Sequence, residues 1–168
     1  TYGLHQIRTN RYTAFREAVR HLAGKGHQRI GYLSPMLNIP GELERFKGYL
    51  DGMAECGIMV DGELVRTMPR EDNTFADGAV EGFLSMKNPP TAIVCSSDRR
   101  ALNVMACCRN RGVRIPEDLA VIGFDNIAES AESEPPLTTF AALPDEAGRY
   151  IMDYVKLYRI GQKTKLLN

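Results

Sequence analysis

The chain has 168 residues, of which 43% are hydrophobic and 25% charged, and its 21 Lys and Arg balance 21 Asp and Glu. A chain of zero formal charge is not a strongly basic nucleic-acid binder, and this composition excludes disorder as the default state while allowing one domain with a sizeable core. No apolar run approaches the roughly 18 residues of a membrane span, and the opening Thr1-Tyr2-Gly3-Leu4-His5 has neither an initiator Met nor a signal-peptide pattern, as in a piece of a longer chain. The four cysteines, Cys56, Cys95, Cys107 and Cys108, include no C-x-x-C pair and none at metal spacing from a histidine. Reduced thiols, no metal and a cytoplasmic protein are expected.

In chain order, Tyr12 to Ala23 carries Ala14, Phe15, Ala18, Val19 and Leu22 at helical spacing, with Gly24 as the stop. Arg29 to Ser34 is a short buried strand. Gly41 to Cys56 places Leu43, Phe46, Leu50, Met53 and Ala54 on one helical face and ends at Gly57. A second strand fits Leu64 to Met68. After the polar turn Pro69 to Asn73, a helix from about Thr74 to Met86 runs to the Pro89-Pro90 break. The strand Thr91 to Ser96, the helix Arg99 to Arg111 and the strand Leu119 to Phe124 follow. Asp125 to Glu134 is one loose helical turn, Pro135-Pro136 precedes a strand Leu137 to Phe140, and a helix from about Asp145 to Ile160 comes last. Strands that alternate with helices need crossover connections, so the fold class is α/β, a doubly wound parallel sheet of five strands with helices on both faces. The first helix has at most a remnant strand, Leu4 to Ile7, before it. Either it folds back onto the five-stranded unit or it belongs to a neighbouring lobe.

Open parallel sheets bind ligands at the carboxyl ends of their strands, near the point where strand order reverses. That rule nominates Ser34-Pro35 and the loop to Gly41, Pro69 to Asn73, Ser96-Ser97-Asp98, Asp125-Asn126, and the turn after Phe140. Asp98 opens a helix, and the reading preferred for it is an N-cap. Asp125 follows the wholly apolar Val121-Ile122-Gly123-Phe124, so its carboxylate stands at the sheet edge where it can accept paired hydrogen bonds from a small ligand. Arg45 has two open readings: a solvated helix charge paired with Glu42, or a forked donor reaching the cleft. His27 lies at the amino end of a strand, away from the cleft. No G-x-S-x-G elbow, phosphate loop or G-x-G-x-x-G follows a strand, which argues against nucleophilic catalysis and against a nucleotide cofactor; no cofactor is expected.

Several segments resemble the lac/gal repressor (LacI/GalR) family of bacterial transcription regulators. His21 to Gly31 (HLAGKGHQRIG) is similar to its "HL…GH-R-I" segment and Glu44 to Tyr49 (ERFKGY) to its "ER..GY" helix. Pro90 to Ala101 (PTAIVCSSDRRA) resembles "PTAI.C.ND..A", Gly112 to Asn126 (GVRIPEDLAVIGFDN) resembles "G..IP.D..V.GFDN", and Pro136 to Thr139 (PLTT) resembles "P.LTT". The resemblance implies the effector-binding core of a repressor, built of periplasmic-binding-protein-like lobes. It divides the chain into a remnant of the N-terminal lobe over 1–25 and the C-terminal lobe over 26–168 with its final crossover truncated, the DNA-binding domain being absent. It implies that Arg45 and Asp125 grip the polar groups of a small, carbohydrate-like or nucleoside-like effector, with Ser97 a weaker contact where Asn is common. Asn73 stands where several members place an aromatic ring, and Phe75, two residues on, is the candidate substitute. Asn103 replaces a usual Gly, and Asn10-Arg11 stands where "DN" is common. Operator DNA, bound through the missing helix-turn-helix, and a homodimer are the implied partners, with no membrane.

Three functions compete at this point. An effector-sensing module of a regulator binds a ligand without turnover. A periplasmic sugar-binding protein of a transport system has a related fold, which the "GFDN" and "LTT" patterns disfavour. A sugar- or nucleotide-processing enzyme needs a base or nucleophile at a strand end, where only Asp98 and Asp125 qualify and neither has a partner acid.

Overall fold

The five strands and six helices read from the sequence all occur in the computed structural model, which describes residues 10–68, 73–141 and 144–159. They are α1 (Arg11–Gly24), β1 (Ile30–Pro35), α2 (Pro40–Glu55), β2 (Val65–Met68), α3 (Asn73–Leu84), β3 (Ala92–Cys95), α4 (Asp98–Asn110), β4 (Ala120–Asp125), α5 (Ala128–Glu132), β5 (Thr138–Ala141) and α6 (Pro144–Arg159). The expected remnant strand at Leu4 to Ile7 and most of the turn from Pro69 lie outside the described residues.

All the strands run parallel in one sheet ordered β2-β1-β3-β4-β5. The register sets Tyr32 opposite Val65 on one side and Val94 on the other, then Val94 opposite Ile122 and Ile122 opposite Thr138. After β1 the chain first adds a strand on one side, then β3, β4 and β5 on the other. The reversal therefore falls between β1 and β3, which makes their carboxyl ends the crevice of the sheet.

The pleat sends alternate side chains to opposite faces. On one face Leu33, Ile93, Cys95 and Val121 meet Phe83 and Val104 of α3 and α4. On the other, buried Tyr32 packs edge-on to Phe15 of α1, with ring centroids 6.1 Å apart, and against Tyr49 of α2 at 5.0 Å. The two helices covering this second face lie very close together because α2 presents Gly48 and Gly52. A Cβ on Gly48 would lie 2.2 Å from the Tyr12 carbonyl oxygen, and one on Gly52 would lie 2.9 Å from the Val19 Cβ.

Three helices end alike. Past α1, α2 and α4, Gly26, Gly57 and Gly112 take positive φ values of 94°, 68° and 71°. The next N–H then reaches back to the helix, as His27 does to the Leu22 carbonyl at 3.1 Å. The residue that needs glycine after α1 is thus Gly26 rather than Gly24, the stop expected from the sequence.

The described residues fall into two units, 10–141 and the helix α6. Of the two placements left open for α1, the structure shows it folded onto the five-stranded unit, with Phe15, Ala18, Val19 and Leu22 buried there. The last helix, α6, carries exposed Tyr150, Ile151, Met152 and Val155.

Candidate functional site

The candidate site lies along the carboxyl edge of the sheet, where the first turns of α2 meet the last residues of β1 and β4. Pro40 opens α2 with its fixed φ, and Glu42 in the first turn suits the positive end of the helix dipole. The Ser34 hydroxyl, at the end of β1, donates to Glu42 Oε2 at 2.8 Å, and Arg45 Nη1 donates to Glu42 Oε1. Only 12% of the Arg45 side chain and 9% of the Glu42 side chain are exposed. The guanidinium also lies over the Phe124 ring, 5.1 Å from its centroid. Arg45 thus pairs with Glu42, as one of its two sequence readings had it, but inside the fold beside the end of β4, not on a solvated face. Its Nε is buried with no hydrogen-bond partner.

Asp125 ends β4 with φ at 118°, and Asn126 follows at 55°. Positive φ is strained for a residue with a Cβ, and Asp and Asn tolerate it best. Burial lifts the Asp125 carboxyl above its ordinary value; Arg45 opposes the lift, Asp98 adds to it, and Arg11 opposes it more weakly. The charge of Arg45 therefore reaches the Asp125 carboxyl.

Beneath them the Tyr32 hydroxyl is buried without a well-aligned hydrogen-bond partner, although Ser34 is near enough to ease its ionisation. Burial drives that phenol well above its usual range.

Ser97 precedes α4 in extended conformation, half-buried, and its hydroxyl accepts from Arg100 Nη1 at 2.9 Å. Asp98 departs from expectation, because its carboxylate does not cap α4. It accepts instead from the Ile127 N–H at 2.9 Å, from the Ser130 hydroxyl at 2.7 Å and from the Thr139 hydroxyl, with no exposed surface. Asn73 begins α3, but its side chain lies outside what is described. Phe75 is half-buried and packs against the core cluster of α3, α4 and the sheet. His27 stands at the amino end of the sheet, as expected, with Nδ1 2.9 Å from the Thr91 hydroxyl. The cysteines are free thiols.

Two residues of the site escaped the sequence reading. Glu42 looked like a surface charge, and only its buried partners Ser34 and Arg45 reveal otherwise. Arg11 was noted only as a departure from "DN". Its Nη1 lies 3.8 Å from Glu44, its Nε is buried without a hydrogen-bond partner, and its charge reaches Asp125. Among the described residues, no three His, Cys, Asp or Glu side chains are grouped to hold a metal ion, and no helix is long and apolar enough to cross a membrane.

A parallel sheet with an arginine and a carboxylate at its carboxyl edge has counterparts among known proteins. A model of the periplasmic binding protein-like domain matches residues 19–157. This chain belongs to that family, in its lac/gal repressor branch. The HTH-type transcriptional repressor CytR of Escherichia coli is 35% identical, over 96% of this chain and 48% of its own. The repressor PurR of Photobacterium profundum is 37% identical over 73% of this chain and 36% of its own. Among solved structures, the E. coli transcriptional repressor ascG superposes with a TM-score of 0.86 at 28% identity, covering 96% of this chain and 58% of that one. The domain thus spans about half the length of the curated relatives it matches, and these relatives are transcription repressors rather than enzymes. The fold and the role of an effector-binding domain agree with the sequence reading.

Proposed function

We propose that this domain senses a small polar effector, of sugar or of nucleoside or purine type, for a cytoplasmic bacterial transcription regulator, and that it does so without turnover. Arg45 and Asp125 hold the effector, Arg11 adds a second guanidinium at the rim, and Ser97 contributes a weaker contact. Asn73 or Phe75 flanks the ligand. Binding biases a homodimer whose helix-turn-helix domains, outside this chain, read operator DNA. In this reading residues 1–25 are a remnant of the N-terminal lobe of the effector core and residues 26–168 its C-terminal lobe.

The observation that carries the reading is a nearly buried Arg45 lying over Phe124, next to Asp125 in sequence, at the carboxyl edge of the sheet, with its charge acting on the Asp125 carboxyl. A guanidinium with a free Nε beside a carboxylate offers donors and acceptors together, which suits hydroxyls and ring nitrogens. One structural relative, 32% identical, is described as a sugar-binding regulator of the LacI family from E. coli. The relatives are repressors, which favours a regulator over a transport protein.

The test is calorimetry of the complete protein against free sugars, nucleosides and purine bases, together with Asp125→Ala. A ligand is expected whose affinity falls by about 1.5–3 kcal/mol in the variant, the value of a charged hydrogen bond. Unchanged affinity would remove the site assignment, and conversion of the ligand to product would replace the sensor by an enzyme.

A further inference from the structure

Asp98 is a fully buried carboxylate whose three hydrogen-bond donors among the described residues are all neutral and all lie outside its own helix. A buried carboxylate satisfied in this way ties its donors tightly, because losing any of them leaves charge unsolvated. The donors stand on both sides of Asp125. Ile127 lies two residues beyond it, Ser130 is in α5, and Thr139 on β5 is the register partner of Gly123, two residues before it.

Gly123 supplies the space for this clamp. A Cβ there would lie 2.2 Å from Asp98 Oδ1 and 3.2 Å from the Asp98 Cα. The "SSD", "GFDN" and "LTT" segments therefore meet at one carboxylate. Between its anchor points lies the only pair of described non-glycine residues with positive φ, Asp125 at 118° and Asn126 at 55°. Such a turn persists only where its surroundings over-determine it.

We propose that Asp98 is a positioning residue for the effector site: it holds the Asp125-Asn126 turn in its left-handed backbone and so aims the Asp125 carboxylate at the ligand beside Arg45. The proposal rests on the reading of Asp125 as a ligand contact. Asp98 itself touches no ligand in this account.

The test uses the complete protein with Asp98→Asn, which keeps the shape but replaces one acceptor oxygen by a donor. Ile127 amide exchange should quicken roughly tenfold or more, and a crystal structure should show Asp125 outside the left-handed region. Asp125 retained near its present φ with unchanged Ile127 exchange would overturn the proposal. If Asp98→Asn does not fold, Gly123→Ala displaces the carboxylate while keeping its charge, and the same two readouts decide.

Calorimetry with cellobiose, ribose, uridine and adenine then separates the two layers of argument. Asp98→Asn should weaken a bound probe roughly tenfold in the native background and not at all in Asp125→Ala, while the melting temperature falls in both. An equal loss of affinity in both backgrounds would mean a merely structural Asp98. If Asp125→Ala alone leaves affinity unchanged, the site reading itself fails, and the positioning role falls with it.

Discussion

Removing Arg45 should unsettle the fold as well as any ligand. In Arg45→Ala the Glu42 carboxylate keeps its 2.8 Å hydrogen bond from Ser34 but loses its cation while still only 9% exposed. Breaking one member of a buried pair generally costs 3–5 kcal/mol, and because Ser34 remains, a loss of about 3 kcal/mol is expected here. The stacking on Phe124 adds about 0.5–1 kcal/mol to that loss. Replacing both charges, as in Glu42→Gln with Arg45→Met, should return stability to within about 1 kcal/mol of the native protein. Urea unfolding reads the difference directly: at slopes of about 1–3 kcal/mol/M, the single variant loses at least about 1 M in midpoint while the double variant moves little. A loss below about 1 kcal/mol in Arg45→Ala, the size of an exposed ion pair, would refute the buried-pair argument. The double variant is then the better probe of binding, since its affinity loss is not confounded by a stranded Glu42.

Gly48→Ala gains about 1 kcal/mol of helix propensity but drives a Cβ to 2.2 Å from the Tyr12 carbonyl oxygen, so α1 and α2 must separate; a net loss of about 1–2 kcal/mol by thermal or urea unfolding is expected. Tyr32→Phe removes a buried hydroxyl without an aligned partner, and should leave the unliganded protein as stable or up to about 1 kcal/mol more so by the same assay. Because the Asp125 carboxyl is raised above its unfolded value, its contribution favours the fold fully below that value and is lost as pH rises through the folded one. Asp125→Asn should accordingly be more stable than the native protein near pH 7, with the difference shrinking at acid pH in unfolding titrations.

The strands were legible because their signal is local. Ile93 to Cys95 and Val121 to Phe124 are apolar on both faces, which only a sheet covered on both sides by helices accommodates. The buried face of α2 was not legible in the same way. Counting apolar residues put Leu43 and Ala54 inward, yet Leu43 is 56% exposed while Glu42, Gly48 and Gly52 are buried. Apolar periodicity gives glycine no weight and sends glutamate to the surface, so it misses a helix whose inner face is set by close approach to α1 and by a neutralised charge. Asp98 shows a related limit. Its position at a helix start predicts a cap, and only the distant Ile127, Ser130 and Thr139 reveal that its partners are elsewhere. Asp125 could be nominated from the strand-end rule because alternation of strands and helices already implies a parallel sheet, whereas Arg45, on a helix, stood out only through the family resemblance.

The two ends of the sheet differ in a way that bears on where a ligand goes. At the amino end, Arg29 donates to the Asn88 carbonyl at 2.9 Å and to Asp61 at 3.1 Å, and His27 meets Thr91. Those groups answer one another. Four described residues hold buried side-chain polar atoms without partners: Arg11, Arg16, Tyr32 and Arg45. Three of these belong to the carboxyl end, where Arg11 and Arg45 act on Asp125, and Tyr32 feels Glu42, Arg45 and Arg100. An orphaned buried donor costs about 1–3 kcal/mol, and a left-handed Asp adds a further 1–3 kcal/mol. A fold that satisfies its polar groups at one end and leaves them open at the other concentrates unfavourable free energy where a polar ligand can relieve it. That asymmetry, independent of any motif, supports the proposed site at the carboxyl edge and predicts that ligand binding stabilises the domain.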